Sequence, residues 1–518
     1  MLETASVEDP APAIRLDRAP SRSLPLAKLS SMKLSFMKAF SGGSHVDGFV
    51  GRHTELGLLD ELLGSVSARG RGTRRGRAVL IRGRRRVGKS RLVEEFLDRS
   101  GLPHVFFTAV GGSREGDLAA FGAEVAASSL PEASRYADFT VPQTWDAALS
   151  LLATALPTDR PSIVVIDEMP YLVQEDPTFE GALQKAYDRT LSKLPVLLIL
   201  IGSDLAMMEQ LNTYGRPFYQ RGTELVVPPL NPAEVANMLD LTPADALDAY
   251  LISGGLPLIL EEWPSGAGPM DYLEQAVHRP TSALLVSGER TLAAEFPTEA
   301  QARRVLTTIG HGERTFTLIG RASGDLNPGA VKRSLDLLTA RRIVAADTPL
   351  STRPSRETRY RIDDPYLRFW LSFVNPAIPL IERGRGDRVL ETIRASWTTW
   401  RGRAVEPVIR DALWRLTDGS VPEGTNAIGG YWTRTNDPEI DIVGADRAPI
   451  AKKITAVGSI KWLENKPFDT RDLARLIHHR AQLPGAADNT PLIAVSRSGC
   501  TTPDITHLTP DHILAAWN

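Results

Sequence analysis

The stretch Ala78–Ser90, AVLIRGRRRVGKS, decides the fold of this chain. Its apolar beginning, Ala78–Ile81, predicts a strand, and the helical spacing of apolar residues that follows predicts a helix. Between them, the pattern G-x-x-x-x-G-K-S at Gly83–Ser90 is typical of a phosphate-binding loop. Its glycines let successive backbone N–H groups turn inward, and the helix that begins at Lys89 points its positive end at the phosphates. The sequence therefore predicts nucleotide binding on an α/β fold.

Two side chains of this loop have specific tasks in phosphoryl chemistry. Lys89 is expected to reach the β- and γ-phosphates of ATP, and the Ser90 hydroxyl is expected to hold Mg²⁺. The loop also contains three successive arginines, Arg84–Arg86, which are either solvated or in additional contact with phosphate. ATP and Mg²⁺ are therefore the predicted cofactors.

Two carboxylates follow the next buried strand of the sequence, Ser162–Asp167. Asp167 is expected to hold Mg²⁺ through water, and Glu168 is expected to polarise the attacking water. A solvated acid pair, or a site that binds phosphate without hydrolysis, is the plainer alternative. A third buried strand, Leu194–Gly202, is followed by Ser203, which fits a sensor of the γ-phosphate. This combination indicates ATP hydrolysis.

The composition is that of an ordinary globular protein. The chain has 518 residues, a formal net charge of -2, 42% hydrophobic residues and one cysteine, Cys500. This length predicts about three or four domains, and the near-neutral charge means that nucleic acid would have to bind a local patch. A single cysteine excludes a disulfide framework and suits a reducing compartment. No Cys/His spacing suggests zinc.

Neither a membrane span nor a secretion signal is expected from the sequence. No apolar run approaches the roughly 20 residues of a membrane span, and no secretion signal is visible, so a cytoplasmic location without membrane contact is expected. Residues 1–44 predict a disordered tail, with a short basic amphipathic helix at Ser30–Phe40 as the alternative.

Further motifs on both sides of the loop complete the pattern. Gly51-Arg52-x-x-Glu55 precedes the loop, and a Gly-Gly-x-Pro motif at Gly254–Pro257 follows it. With the loop, the acid pair, Ser203 and Arg221, these motifs resemble the archaeal-type ATPase family, within the signal-transduction ATPases with numerous domains.

The resemblance implies a role for each motif. It implies that the Gly51-Arg52 loop packs beside adenine and that the Gly-Gly-x-Pro motif belongs to a helical lid. It also implies that Arg221 senses the γ-phosphate, with Arg216 as the alternative, either within one chain or towards a neighbour in an oligomer. The ATP-binding residues expected on these grounds are Gly51, Arg52, Gly83, Val87, Gly88, Lys89, Ser90, Arg91, Asp167 and Ser203.

Residues 299–363 predict three helices followed by a hairpin, which is the order of a winged helix. Basic residues make this segment locally positive: Lys332, Arg333, Arg341, Arg342, Arg353, Arg356, Arg359 and Arg361. Contact with DNA is one interpretation, and packing against a protein partner is the other. An aromatic-rich phrase, Asp363–Phe373, then begins a helical connector, and it too resembles longer members of the archaeal-type ATPase family.

A second constellation lies near the C-terminus. Glu406 is expected on a helix, Asp441 on an alternating strand, and Glu464-x-Lys466 on the next strand, Ser459–Lys466. Because side chains two positions apart on a strand share a face, Glu464 and Lys466 are expected to converge with Asp441. Carboxylates for Mg²⁺ and a nearby lysine suit metal-assisted phosphodiester hydrolysis.

This order of elements resembles the restriction-endonuclease-like nucleases and the DUF234-type C-terminal domain of archaeal-type ATPases. The predicted fold is α/β and multidomain. It comprises a P-loop NTPase domain with a parallel sheet (45–230), a helical lid (231–298), a winged helix (299–363), a connector (364–397) and a restriction-endonuclease-like domain (398–518). The predicted function is an ATPase coupled to a Mg²⁺-dependent nuclease-like domain that acts on DNA. The alternative is a signalling or regulatory ATPase whose winged helix binds DNA or protein and whose last domain is a non-catalytic scaffold.

Overall fold

The computed structural model describes residues 49–67, 76–134, 142–295, 300–310, 312, 314–324 and 326–518. Phe49–Asn518 form one compact unit. The predictions made for residues 1–44 lie outside the described residues. Within those ranges, no helix combines the length and the apolar character that crossing a bilayer requires.

A five-stranded parallel sheet forms the centre of the N-terminal half. Its strand order is β2-β3-β4-β1-β5, and each neighbouring pair is parallel. The strands are β1 (Arg77–Arg82), β2 (His104–Thr108), β3 (Ser162–Asp167), β4 (Val196–Gly202) and β5 (Thr223–Val226). Because the strands are parallel, the loops after β1, β3 and β4 meet at one edge of the sheet. The predicted parallel α/β fold is confirmed.

Both faces of this sheet are buried, which explains its nearly continuous apolar strands. In β1, Val79 and Ile81 pack into one apolar core, whereas Ala78 and Leu80 pack into the other. The surrounding helices are α1 (His53–Ser67), α2 (Lys89–Ser100), α3 (Arg114–Ala127), α4 (Trp145–Ala155), α5 (Met169–Glu175), α6 (Phe179–Arg189) and α7 (Leu205–Leu211).

The helices that follow the sheet pack into the apolar core that contains Val79 and Ile81. They are α8 (Pro232–Leu239), α9 (Pro243–Ser253), α10 (Pro257–Leu260), α11 (Pro269–Val277) and α12 (Ala283–Glu295). The start of α8 is fixed by a capping box, in which Asn231 and Glu234 each accept a hydrogen bond from the other's backbone N–H. These helices lie in the part of the chain for which the sequence predicts a lid, and they are called the lid below.

Three helices and an antiparallel hairpin come next, in the order that the sequence predicted for a winged helix. They are α13 (Ala300–Gly310), α14 (Phe316–Ala322), α15 (Pro328–Ala340), β6 (Val344–Asp347) and β7 (Arg359–Ile362). The connector follows with α16 (Pro365–Phe369), a π-helical turn at Trp370–Val374, a 3-10 turn at Asn375–Ala377 and α17 (Ile378–Ile381).

A single 30-residue helix, α18 (Gly386–Arg415), joins the connector to the last domain. The predicted domain boundary at residue 398 falls inside this helix. After it, a mixed sheet has the order β12-β11-β10-β9-β8. Its elements are β8 (Ala427–Trp432), β9 (Glu439–Ala445), β10 (Ile454–Lys461), α19 (Thr470–Gln482), β11 (Leu492–Ser496), β12 (Thr506–Leu508) and α20 (Pro510–Leu514).

The position of β10 differs from the prediction. The strand ends at Lys461, so the predicted strand Ser459–Lys466 is wrong for its last five residues. The parallel partner β11 pairs with β10 only up to Lys461, and the chain then turns away towards α19. Glu464 and Lys466 therefore lie in a loop, where two-residue spacing does not place side chains on one face.

Candidate nucleotide site and C-terminal cleft

The phosphate-binding loop connects β1 to α2, as predicted. Gly88 has φ +87°, which favours glycine, and the Lys89 ammonium donates to the carbonyls of Gly83 (2.9 Å) and Arg84 (3.0 Å). The loop is thus wrapped around the lysine, and burial lowers the pKa of Lys89 to about 8. The side chain of Val87 is fully buried, so only its backbone is available to a ligand.

The predicted polar residues after β1, β3 and β4 do meet at one edge of the sheet. The Ser90 hydroxyl donates to Asp167 Oδ2 (2.7 Å), and the Ser203 hydroxyl donates to Glu168 Oε1 (2.7 Å). The Glu168 backbone N–H donates to Asp167 Oδ1 (2.8 Å), and Glu168 itself has φ +54°. Burial raises the pKa of Asp167. The Ser90 hydroxyl and the Asp167 carboxylate fit Mg²⁺, which prefers oxygen ligands. The Glu168 carboxylate is then left to bind a water molecule.

The N-terminal loop is bound to both the phosphate loop and the lid. Arg52 is buried and donates to the Val87 carbonyl (2.8 Å) and to Glu55 (3.1 Å). Its backbone N–H donates to Glu234 (2.8 Å), at the start of α8. Gly51 has φ +73°, and a Cβ there would lie 2.2 Å from Glu234 Oε1. The motif therefore holds the phosphate loop against the lid.

A cavity of about 360 Å³ opens over the phosphate loop. Predicted residues line it, including Gly88, Lys89, Ser90, Arg91, Glu168 and Ser203. It is also lined by residues that were not among the predicted ATP-binding residues: Tyr171, Leu256, Arg290, Thr291, Asp364 and Tyr366. Arg290 lies on α12 and forms no ion pair within the described part of the chain. Because it lies about 200 positions after the loop, no local pattern marks it.

The arginines of the loop contact protein groups. Arg84 forms an ion pair with Asp364, the N-cap of connector helix α16. Arg85 donates to the Tyr171 hydroxyl (3.1 Å), and Arg86 donates to the Ser287 hydroxyl on α12 (2.8 Å). The phosphate loop is thereby connected directly to α12 and to the connector.

The two arginines expected to sense the γ-phosphate lie elsewhere. Arg221 binds Asp188 through its Nε and Nη2 atoms (2.8–3.1 Å) and donates to the carbonyls of Pro217 and Tyr219. Arg216 binds Glu180 (2.5 Å). Neither lines the cavity over the phosphate loop, and both are bound to carboxylates away from it, so a sensing role for either stays a prediction.

The C-terminal residues converge only in part. Asp441 on β9 accepts hydrogen bonds from the Ser459 hydroxyl (3.0 Å) and the Ile460 N–H (2.8 Å) of β10. Lys461, the last residue of β10, forms an ion pair with Asp472. Thus β10 offers a hydroxyl beside Asp441 where a second carboxylate was expected.

Glu406 is the acid that does accompany Asp441. Both line a narrow cleft, and burial raises the pKa of each. Arg410 holds them together, because it binds Glu406 (3.0 Å) and donates to the Asp441 carbonyl (2.7 Å). Neither Glu464 nor Lys466 lines this cleft. Across the described ranges, no group of three His, Cys, Asp or Glu side chains is arranged to hold a metal.

Glu464 instead belongs to an ion-pair network between the lid and the last domain. Its carboxylate accepts from Arg401 of α18 (2.8 Å), which also donates to Asp248 of α9 (2.9 Å). Asp248 further accepts from Trp462 Nε1 (3.0 Å) and pairs with Arg497 (2.9 Å). The side chains of Arg401 and Asp248 are 1% and 2% exposed, so the network is part of the interior.

Comparison with known proteins supports the C-terminal resemblance. Residues 370–473 match the DUF234 family, described as archaea bacterial proteins of unknown function. This match crosses the predicted boundary at residue 398, and it confirms the predicted resemblance to a DUF234-type domain. The chain is also 26% identical over 469 residues to an uncharacterized protein of Methanocaldococcus jannaschii, covering 86% of this chain and 95% of that protein.

Two solved structures resemble this chain at lower sequence identity. The Walker-type ATPase of Pyrococcus abyssi is 19% identical with a TM-score of 0.43, over 64% of this chain and 98% of that one. The ORC2 protein of Aeropyrum pernix is 14% identical with a TM-score of 0.42, over 69% of this chain and 98% of that one. Because both TM-scores are below 0.5, the fold is described from the strands and helices of this chain alone.

Proposed function

We propose that this chain hydrolyses ATP at its phosphate-binding loop and passes its nucleotide state to its C-terminal half. The observation that carries the first part is the convergence of Ser90, Asp167, Glu168 and Ser203 beside Lys89. Two 2.7 Å hydrogen bonds already orient the oxygen atoms that this chemistry needs.

Each side chain has one task in this proposal. Ser90 and Asp167 would hold the Mg²⁺ ion that accompanies ATP, and the ion would neutralise phosphate charge. Lys89 neutralises charge on the β- and γ-phosphates, because its ammonium is held within the loop. Glu168, kept in place by the Ser203 hydroxyl, accepts the proton of the attacking water.

Arg290 is the arginine that we assign to the γ-phosphate within one chain. It reaches the cavity from α12, where Arg86 of the phosphate loop also makes a contact, to Ser287. A cation on this helix would be attracted by the γ-phosphate, so the presence of that phosphate would affect the lid, to which the helix belongs. In an oligomer, Arg221 remains available for a role towards a neighbour only if its bonds to Asp188 break.

Substitution of Glu168 tests hydrolysis directly. Glu168→Gln is expected to keep ATP affinity and to lower kcat by about 10²-fold or more, because the amide cannot accept the water proton. Lys89→Ala is expected to weaken ATP binding itself. Glu61→Gln, an exposed change on α1, is the matched control. Unchanged turnover in Glu168→Gln would leave a site that binds phosphate without this mechanism.

The output of the site runs through Arg84. Its ion pair with Asp364 connects the loop to the connector, and a bound γ-phosphate would compete with Asp364 for the guanidinium. We therefore expect hydrogen exchange in residues 365–381 to rise when a non-hydrolysable ATP analogue binds. Asp364→Asn should show the raised exchange without nucleotide, and equal exchange in all states would contradict this route.

The hairpin of the three-helix segment supports packing within the protein. Arg359 of β7 binds Glu439 of β9 (2.5 Å) and lies 4.4 Å from the Trp432 ring centroid. This favours a regulatory ATPase whose hairpin is docked on its own C-terminal sheet. DNA contact by this segment would then use the exposed Lys332 and Arg333 of α15, and Arg333→Ala would weaken DNA binding in a fluorescence anisotropy titration.

A Mg²⁺-dependent nuclease is the second candidate function, and the shared cleft of Asp441 and Glu406 favours it. It predicts nicking of DNA with Mg²⁺ that Asp441→Asn abolishes. Because Glu464 and Lys466 lie outside the cleft, Glu464→Gln and Lys466→Ala should retain activity. DNA that stays intact at high protein concentration, with ATP turnover demonstrated, would leave the scaffold interpretation.

A further inference from the structure

A second cavity, of about 280 Å³, lies between the three-helix segment and α18. Four arginines from four different elements line it, and no carboxylate does: Arg314, Arg361, Arg368 and Arg403. Arg314 precedes α14, Arg361 lies on β7, Arg368 on α16, and Arg403 on α18. A concave surface with charges of one sign attracts ligands of the opposite sign.

The four cations differ in how they are paired with carboxylates. Arg361 is neutralised by Asp347 (2.8 Å) and Asp363 (2.6 Å). Arg314, Arg368 and Arg403 form no ion pair with any carboxylate in the described ranges. Among the residues that the structure describes, the Arg368 guanidinium donates only to the Arg403 carbonyl (3.1 Å).

The lowered pKa values of two of these arginines show that their charged forms are destabilised in the cavity. Burial lowers the pKa of Arg368 to about 10 and also lowers the pKa of Arg314, to which the nearby Arg403 charge contributes. The Glu406 carboxylate of the neighbouring cleft offsets part of this effect on Arg368 and Arg314, but burial still removes hydration from both guanidinium groups. An anion between them would offset this loss of hydration.

The walls of the cavity narrow the chemical class of that anion. Tyr360, Phe373 and Trp400 supply aromatic faces, and Ser396 and Thr399 supply hydroxyl groups. One guanidinium group can donate to two phosphate oxygens at once, and aromatic side chains stack on nucleic-acid bases. The volume suits one phosphorylated unit and excludes a duplex.

The cavity is also continuous in its lining with the cleft of Asp441 and Glu406. The same four arginines line both. We propose that this arginine cavity binds a phosphate ester, supplied either by a free mononucleotide or by a single nucleic-acid strand.

The inference is separable from the proposed ATPase activity. The arginine cavity and the cavity over the phosphate loop share no lining residue. The full-length Lys89→Ala variant therefore serves as the test protein, because nucleotide binding at the phosphate loop is weakened in it.

Arg403 is the best position for the test because it is exposed, so its replacement spares the interior. The probe is a fluorescein-labelled, 5′-phosphorylated thymidine hexanucleotide followed by anisotropy at low salt, with thymidine monophosphate as competitor. Arg403→Ala is expected to weaken probe binding by about tenfold, and Arg403→Glu by more. Arg388→Ala on the same helix, where the exposed guanidinium pairs with Glu391 (3.5 Å), should change affinity by less than about twofold.

The competition identifies the source of the phosphate. If thymidine monophosphate displaces the probe at concentrations equal to those of unlabelled hexanucleotide, the ligand is a mononucleotide. If it is about 100-fold weaker, the ligand is a strand with several phosphates. Absence of binding by both compounds, or equal affinity in the Arg403 and Arg388 variants, would overturn the proposal.

Discussion

At the scale of single residues, Lys89 gives the site a defined pH dependence. Burial lowers the pKa of its free form to about 8, whereas bound phosphates favour the charged form and raise it. ATP binding below pH 8 therefore takes up no proton and is at full strength. Above pH 8 it takes up one, and affinity is expected to fall by up to about tenfold per pH unit.

Titration with a fluorescent ATP analogue from pH 7 to pH 9.5 measures this dependence. Lys89→Arg is the control, since its guanidinium stays charged in this range and its affinity should stay level. A level profile for the unaltered protein would show that the lysine keeps its ordinary pKa.

Arg290 is the residue on which the proposed γ-phosphate contact depends. Arg290→Ala is expected to lower kcat for ATP about 10²-fold, because one cation facing the transferred phosphoryl group is removed. Arg221→Ala should change kcat by less than about threefold in a monomeric preparation, because its guanidinium is bound to Asp188. A steady-state phosphate-release assay compares the two, and the reverse ranking would contradict the assignment.

These residues show what sequence can reveal at this scale. Lys89, Ser90, Asp167 and Glu168 were predictable because each lies in a short motif at the end of an apolar strand. Arg290 was not, since its place over the loop results from the packing of a helix about 200 residues later in the chain.

At the scale of elements, the Gly-Gly-x-Pro motif joins the lid to two neighbours. Gly255 has φ +69°, and a Cβ there would lie 1.9 Å from the Leu230 carbonyl oxygen. Gly254 has φ +60° and a Cβ would lie 2.8 Å from Tyr366 Cβ, on the connector. Both glycines are required by conformation and by space.

Gly255→Ala is therefore expected to lower the free energy of unfolding by more than about 2 kcal/mol. Gly57→Ala is the matched control. It lies inside α1 with no atom within 4 Å of an added Cβ, and alanine should stabilise that helix by about 0.5–1 kcal/mol. Midpoints of urea unfolding measure both, and equal midpoints would contradict the close contact with Leu230.

Element boundaries were the weaker part of the sequence interpretation. The strands of the parallel sheet were placed well, because burial on both faces gives long apolar runs. For β10, the residues that precede Ser459 are mostly apolar or small and show no clear alternation, so no local pattern marks where the strand begins. Glu464 and Lys466 have the two-residue spacing of a strand. In the structure, however, Glu464 and the nearby Trp462 are bound to the lid network.

At the scale of the whole molecule, the Asp248–Arg401 network holds the lid against the last domain. Arg401→Ala is expected to destabilise the protein by about 3–5 kcal/mol, because it leaves the Asp248 carboxylate with fewer partners in the interior. Arg394→Ala, which removes an exposed pair with Glu274 (3.0 Å), should cost less than about 1 kcal/mol. Urea unfolding followed by tryptophan fluorescence compares them, and similar midpoints would mean that the network adds no stability.

Contacts of this range were beyond prediction from one sequence. The order of domains followed from local motifs, but the pairing of Arg84 with Asp364, or of Arg401 with Asp248, joins residues more than 150 positions apart. Such pairs leave no local periodicity.

The continuity of α18 constrains how this chain can change length. Arg401 of this helix faces the lid, and Glu406, five positions later, faces the cleft of Asp441. Each residue of an α-helix turns by about 100° and rises 1.5 Å. One inserted or deleted residue between these two positions would turn the cleft side away from its strand while the lid side stayed in place. The spacing of these two positions is therefore a fixed count, and insertions or deletions in this region are expected to fall in the loops beyond the helix ends.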